Sequence, residues 1–292
     1  MPIRLAVVVA SPRSFELLGA TLAALRPQCD RLGATIVVTR PAGPVPESAR
    51  NLLGGTDLVT APADATLPVL RGTGLARADA DWVGLTEDNC LPDSGWLEAL
   101  LAAAAPGVAV VGGSMGNALV HRSLDWGAFF SEYGFYGRNR PSSVEHLVTD
   151  ASVLYERSVL DRVSAWALAG SWEDDIHLRL HQAGERFGFA PAAIVRQNEP
   201  QRFLPFCANR FDHGRQFAAV RSRNIGRGER LLRAIATPLL PLVLLARIAR
   251  AAGAESPGAF VRASPFTLAF LAAWAAGELS GYLVPKAPSG GG

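Results

Sequence analysis

Two acidic clusters hold most of the chemical information in this 292-residue sequence. The first, Thr86-Glu87-Asp88, directly follows the apolar run Trp82-Val-Gly-Leu85. Carboxylates at the end of a buried strand stand where a ligand approaches. One or two of them suffice to hold a divalent cation that keeps several waters and neutralises a nucleoside diphosphate. Such an ion also stabilises a departing diphosphate as a Lewis acid. A plain turn is the competing explanation, because turns favour Asp and Asn without any ligand. The second cluster is Glu173-Asp174-Asp175, after Trp172. Acids at a helix N-terminus complement the macrodipole, so capping explains them as readily as catalysis. A carboxylate there could instead take the proton of an acceptor hydroxyl as general base.

The elements that must carry these residues follow from hydrophobic patterning. Leu5-Ala-Val-Val-Val-Ala10 is a short continuous apolar run, as expected of a strand buried on both faces. A helix is expected over 15–25, with Ser14 as its cap. Further strands are expected at 35–39, 57–60, 82–86 and 108–112, and helices at 67–78 and 96–105. This alternation implies an α/β fold with a doubly wound, mostly parallel sheet. Ligands of such sheets bind beyond the carboxyl ends of the strands, which points to the loop beginning at Glu87. Beyond Gly113 the pattern is less regular. A strand over 148–155, helices over 156–163 and 173–183, and short strands at 188–191 and 193–196 are expected.

After Arg202 the chain turns to long helices with two apolar stretches, 234–246 and 263–284. The first has 13 uncharged residues, short of the roughly 20 a transmembrane helix needs. The second is long enough but contains Glu278, costly at mid-bilayer. Arginines surround both and would be drawn to anionic headgroups. Membrane contact is expected, with shallow insertion favoured over spanning; a helical pair packed on protein is the alternative. Charge divides the same way. Residues 1–195 hold 15 Arg against 21 acids, net −6; residues 196–262 hold 12 Arg against 4 acids, net +8. The three cysteines show neither a disulfide framework nor zinc spacing and read as reduced thiols. The N-terminal apolar run is shorter than a secretory core segment. His177 and His181 have a metal-ligating spacing but no third ligand, so surface or partly buried roles fit them better; His213 is the one histidine worth testing as a diphosphate or metal contact.

Several segments in order resemble the family-2 glycosyltransferases of the GT-A nucleotide-sugar fold, membrane-associated type. They are Arg71-Gly-Thr-Gly74, then 78–92 with its Thr86-Glu87-Asp88 strand end and Pro92, then Gly95-Trp-Leu97, Tyr155-Glu-Arg157 with Leu160, and the helix from Glu173 to Gly184. The resemblance spans about residues 2–220. It implies a nucleoside diphosphate sugar donor, a hydroxyl acceptor (a glycan, lipid-linked or of the cell envelope), inversion at the anomeric carbon, and a Mg2+ or Mn2+ ion. Asp88 would ligate the metal, with Glu87 beside it or beside the ribose. Ser11 and Arg71 would lie near the nucleotide, and Arg210 and Arg215 would hold the diphosphate. Anchored on the acidic pair, the base is Asp174, the favoured register; anchored on Arg179-Leu180 and Gly184, it is Glu173. Residues 1–223 would form the transferase domain, 224–286 membrane-associated helices on the cytoplasmic face of the cell membrane, and 287–292 a flexible tail. Two departures stand out: Arg40 where the family carries an acid after the second strand, and Arg196-Gln197-Asn198 where many members have a His. They keep open a non-catalytic membrane-bound homologue that binds a sugar nucleotide or a protein. No Gly-x-Gly-x-x-Gly follows the first strand, which argues against a dinucleotide-dependent oxidoreductase. The absence of a Gly-rich basic loop there argues against a nucleotidyltransferase. No nucleic-acid partner is expected.

Overall fold

The computed structural model describes residues 3–139, 148–222, 225–251 and 256–284. The expected tail at 287–292 and the expected boundary at 223/224 lie outside them. Compactness divides the chain into two units, 1–118 with 136–199, and 119–135 with 200–292.

The first unit is built on an eight-stranded mixed sheet: β1 (Leu5–Ala10), β2 (Thr35–Pro41), β3 (Asp57–Ala61), β4 (Trp82–Glu87), β5 (Cys90–Pro92), β6 (Val108–Asn117), β7 (Val153–Glu156) and β8 (Arg186–Gln197). The spatial order is β3-β2-β1-β4-β7-β6-β8-β5. β1, β2, β3 and β4 are mutually parallel, as are β6 and β8, while β7 runs antiparallel to both its neighbours. The chain winds outward from β1 to β3 and returns to β4 on the other side of β1. The switch point therefore lies between β1 and β4, where open α/β sheets bind ligands. All six residues of β1 are buried, as the uninterrupted apolar run requires.

Helices α1 (Phe15–Leu32), α2 (Glu47–Leu53), α3 (Leu67–Arg77), α4 (Trp96–Ala102), α6 (Arg157–Leu168) and α7 (Glu173–Gln182) belong to this unit, with α5 (Ser123–Tyr133) inserted between β6 and β7 but part of the second. Ser14 caps α1 as expected, its hydroxyl accepting from the Leu17 N–H. The helix runs seven residues past the expected end, through Pro27, to Gly33 in the left-handed conformation. The two short strands expected at 188–191 and 193–196 are one strand. It has a register shift at Pro191–Ala193 opposite Gly113/Ser114, which accommodates a proline that cannot donate to the ladder.

The stretch Arg71-Gly-Thr-Gly74 now has a steric meaning. A Cβ on Gly72 would stand 2.7 Å from the Leu168 N and 2.9 Å from the Ser164 O, so α3 lies directly on the α6 backbone; one on Gly74 would overlap Val8. These contacts fix the helix that carries Arg71.

The second unit holds α5, α8 (Phe203–Arg221), α9 (Arg227–Ala236), α10 (Leu240–Ala251) and α11 (Pro257–Leu283). α11 packs along α8 so closely that a Cβ on Gly277 would collide with the Phe211 carbonyl. Glu278 is buried between Trp274 Nε1 (3.1 Å) and Tyr282 OH (2.9 Å), both donating to it. Arg227–Ala251 and Pro257–Leu283 are long and apolar enough to cross a membrane by length and composition.

Gly72→Ala should lower the unfolding free energy by about 1–3 kcal/mol through overpacking, despite a helix-propensity gain of about 1 kcal/mol. Gly43→Ala, where the new methyl meets open space, should change it by less than about 0.5 kcal/mol. Urea titration compares the two; equal effects would refute the close α3–α6 packing.

Candidate functional site

Arg71 is the centre of the first unit's polar interior. Its guanidinium is 4% exposed and donates through Nη2 to Glu87 Oε1 at 2.6 Å and through Nη1 to Glu173 Oε2 at 2.6 Å, with Asp150 Oδ2 at 3.3 Å. The carboxylates come from the end of β4, the turn before β7 and the first residue of α7. Burial works against the Arg71 charge, but Glu173, Glu87 and Asp150 outweigh it and hold the guanidinium firmly protonated. Burial likewise opposes ionisation of Glu87, yet Arg71 and Arg13 together keep its carboxyl below the usual range.

Glu173 is left with the surplus negative charge. Burial, together with Asp150 and Asp174 and against the pull of Arg71, raises its carboxyl from 4.5 to about 7. Asp174 faces solvent and has no hydrogen-bond or ion-pair partner among the described residues. The surrounding protein and Asp150 raise its carboxyl too, although its exposure to water offsets much of that. Of the two acids between which the sequence leaves the base open, Glu173 is the one oriented by a fixed partner.

Asp150 is supported from behind. The Tyr155 hydroxyl stands 2.6 Å from Asp150 Oδ1 and 2.6 Å from His177 Nε2. His177 Nδ1 lies 3.1 Å from the Val148 carbonyl, which can only accept, so Nδ1 carries a proton. His177 is thus a buried structural residue rather than half of a metal pair with His181. The sequence signalled neither Asp150 nor this chain; both depend on the 148–152 turn meeting α7.

A second group assembles at the β1/β4 switch point. Asp88 Oδ2 accepts from Ser11 Oγ at 2.9 Å and from the Arg13 N–H at 2.7 Å, and Arg13 Nη1 reaches Asp88 Oδ1 at 3.0 Å and Glu87 Oε2 at 3.3 Å. Arg13 Nε meets Glu199 Oε2 at 2.8 Å, and Asn89 Nδ2 donates to the same oxygen at 3.1 Å. Arg40 hydrogen-bonds Ser11 Oγ, donates to the Arg13 carbonyl at 2.7 Å and covers the Phe15 ring at 4.0 Å. Burial raises the Asp88 carboxyl against the opposing pull of Arg13 and Ser11.

This donor set decides how the expected Mg2+ or Mn2+ would sit. Both oxygens of Asp88 and both of Glu87 already accept from Arg13, Arg71 or Ser11. No group of three His, Cys, Asp or Glu side chains with metal-holding geometry occurs among the described residues. As arranged, the residues do not fit a divalent ion, since Arg13 stands in its place.

Beside these groups a cavity of about 250 Å3 is lined by Pro12, Phe15, Arg40, Val45, Leu58 and Thr60, among others. Its walls are half polar and half apolar, with the Phe15 ring and Leu58 on the apolar side and the Arg40 guanidinium and Thr60 on the polar side. Ser11, Arg71, Glu87, Asp88, Glu173 and Asp174 all lie in the first unit. Arg210 and Arg215 lie in the second. Arg210 is buried beside Glu132 (3.6 Å) and over the Trp274 ring (4.5 Å), and Arg215 pairs with Asp212 at 3.1 Å. Sequence reasoning passed over Arg13, Asp150 and Glu199. Arg13 was visible as a lone arginine after the first strand, but the other two carried no local signal.

No protein-family model matches the chain, and a search of curated proteins gave no match. Among solved structures it is similar to the mannosyltransferase PcManGT from Pyrobaculum calidifontis, solved in complex with GDP-Man and Mn2+, at a TM-score of 0.55 and 18% identity, covering 96% of this chain and 88% of that one. Glucosyl-3-phosphoglycerate synthase from Mycobacterium tuberculosis, in complex with phosphoglyceric acid, gives a TM-score of 0.46 at 13% identity, covering 70% of this chain and 75% of that one. S. aureus TarS 1-349 gives 0.46 at 12%, covering 74% and 64%. The last two are too distant to carry an argument. The first establishes the fold: a GT-A-like α/β architecture around a mostly parallel sheet.

Removing Arg71 would leave three carboxylates facing one another in a buried site. Arg71→Met should therefore cost about 3–5 kcal/mol at pH 8, the usual cost of breaking a buried pair. The sign with pH follows from linkage: without Arg71 the carboxyl pKa values rise in the folded state, so protonation as pH falls to about 5 restores part of the loss. Urea unfolding at the two pH values checks this. A loss independent of pH would contradict the charge-centred account.

Proposed function

We propose that the chain transfers a glycosyl group from a nucleoside diphosphate sugar to a hydroxyl, with inversion. The observation that carries this reading is Glu173. It is a carboxylate oriented by a buried arginine, titrating near neutrality, and next to the strand-end acids of a GT-A-like sheet. A general base works best when its pKa lies near the operating pH and its direction is fixed. Glu173 has both properties, whereas Asp174 is held by no fixed partner among the described residues. That PcManGT was solved with GDP-Man supports a sugar nucleotide as the donor class here.

In this reading the donor's base enters the cavity beside Phe15 and Arg40, with Ser11 and Asp88 nearby. Ionised Glu173 takes the proton of the acceptor hydroxyl while that hydroxyl's oxygen bonds to the anomeric carbon. The bond from that carbon to the diphosphate breaks, and the electron pair leaves with the diphosphate. Arg71 keeps Glu173 aimed and Asp150 keeps Arg71 in place. Mn2+ accompanies the donor in the PcManGT complex; no step is routed through a metal here, because Arg13 already pairs with the acids that would hold one. Arg210 and Arg215 stand as diphosphate contacts only by the sequence resemblance.

The second unit supports a membrane-surface acceptor. Leu231, Leu232 and Ile235 of α9, Leu242 and Val243 of α10, and Leu239 in the turn between them are exposed, beside Arg227, Arg230 and Arg233. An amphipathic basic helix of this kind lies in the headgroup layer. The proposed acceptor is accordingly a lipid-linked or envelope glycan at the cytoplasmic face.

Glu173→Gln should lower turnover by about 10²–10⁴, the usual worth of a general base. Asp174→Asn should stay within about tenfold of the parent. In the parent, kcat/KM should rise with pH through about 7, because the ionised form acts. The reverse ranking would assign the base to Asp174. For the membrane reading, Leu231→Asp with Ile235→Asp should abolish sedimentation with anionic phospholipid vesicles, and unchanged sedimentation would remove the acceptor argument.

A further inference from the structure

We propose that Arg13 is the resident cation of the donor site, doing for the diphosphate what a divalent ion would do, so that donor binding needs no metal. The inference rests on the donor reading above and concerns this chain's own side chain.

Three carboxylates from two parts of the fold converge on one guanidinium. Glu87 ends β4, Asp88 begins the turn after it, and Glu199 follows β8. Their distances to Arg13 are 3.3, 3.0 and 2.8 Å. Glu87 and Asp88 are 3% and 0% exposed, whereas Arg13 retains 26%. The acids are thus enclosed and the cation faces outward, which is the arrangement of an anchored positive charge presented to a ligand. The guanidinium is also held by its main chain: the Arg13 N–H donates to Asp88 and the Arg13 carbonyl accepts from Arg40. A planar guanidinium binds phosphate oxygens through several parallel N–H bonds while remaining fully charged.

The two departures from the family pattern gain a common cause here. Arg40, in the place of an acid, hydrogen-bonds Ser11 and the Arg13 carbonyl and so orders the turn that presents Arg13. After β8 no histidine is offered. Instead Arg196 is drawn to Asp93 at 2.7 and 2.9 Å, the Asn198 N–H donates to the Asn89 carbonyl at 2.7 Å, and the turn delivers Glu199 to Arg13. Both substitutions favour an arginine over an ion at this spot.

The test uses the full chain, Arg13→Met and Arg13→Lys, each checked for folding by circular dichroism. Mn2+ binding without nucleotide is followed by loss of the free-ion electron paramagnetic resonance signal. UDP and GDP binding is measured by calorimetry in EDTA and in Mn2+. The parent and Arg13→Lys should take up no Mn2+ in the micromolar range, whereas Arg13→Met, with its acids uncompensated, should bind it at least about tenfold more tightly. The parent should bind one of the two nucleotides with an affinity that changes less than about twofold between EDTA and Mn2+. Arg13→Met should lose about tenfold or more in EDTA and recover with Mn2+. Micromolar Mn2+ binding by the parent, or parent nucleotide binding that disappears in EDTA, would overturn the proposal while leaving the donor reading intact. Absence of UDP and GDP binding under both conditions would overturn the donor reading and this inference with it.

Discussion

The buried guanidinium of Arg71 is the constraint on which the site depends. A charge this far from water is tolerated only when paired and hydrogen-bonded, and here the pairing is over-supplied. Three carboxylates meet this guanidinium and Glu87 is also paired with Arg13, so Asp150 and Glu173 are left to share the charge of Arg71 and the Glu173 carboxyl is raised. The same contact that fixes its direction therefore coexists with a carboxyl able to exchange a proton near neutrality, the combination a general base requires.

Everything that places Arg71 can be traced to packing. α3 approaches the sheet and α6 within backbone contact because positions 72 and 74 have no side chain. β4 delivers Glu87 from an apolar interior, and the 148–152 turn holds Asp150 through Tyr155 and His177. Motif residues that look like a recognition pattern in sequence are, in part, the steric conditions for bringing one arginine to one strand end. The second unit obeys a different logic, with close helix packing on one side of α11 and an uncovered apolar, arginine-flanked face on α9 and α10.

Much of this was legible in the residue order. The β1–β4 strands and helices α1 and α3 follow from apolar runs and breaks, and the strand-end rule points to Glu87 and Asp88 from the sequence alone. Helix α5, helix α2 and the three-residue β5 were not legible, because short or inserted elements leave little periodicity. β8 read as two strands because Pro191 interrupts the pattern, whereas the ladder absorbs it as a bulge. Asp150, Glu199 and the partnership of Arg13 with the strand-end acids were invisible for a different reason: each is set by a contact 74 to 186 residues away, and nothing local marks it. The choice between Glu173 and Asp174 was open for the same reason, since register on a helix says nothing about which carboxyl a distant arginine will orient.

The central claim, cleavage of a sugar nucleotide at the Arg71–Glu173 site, is tested most directly by following a panel of UDP- and GDP-sugars with the purified chain by proton NMR at the anomeric signals, without acceptor. Slow hydrolysis of one donor class, releasing first the sugar of opposite anomeric configuration, is the predicted result. Failure to turn over any of them, or release with retained configuration, would contradict the account.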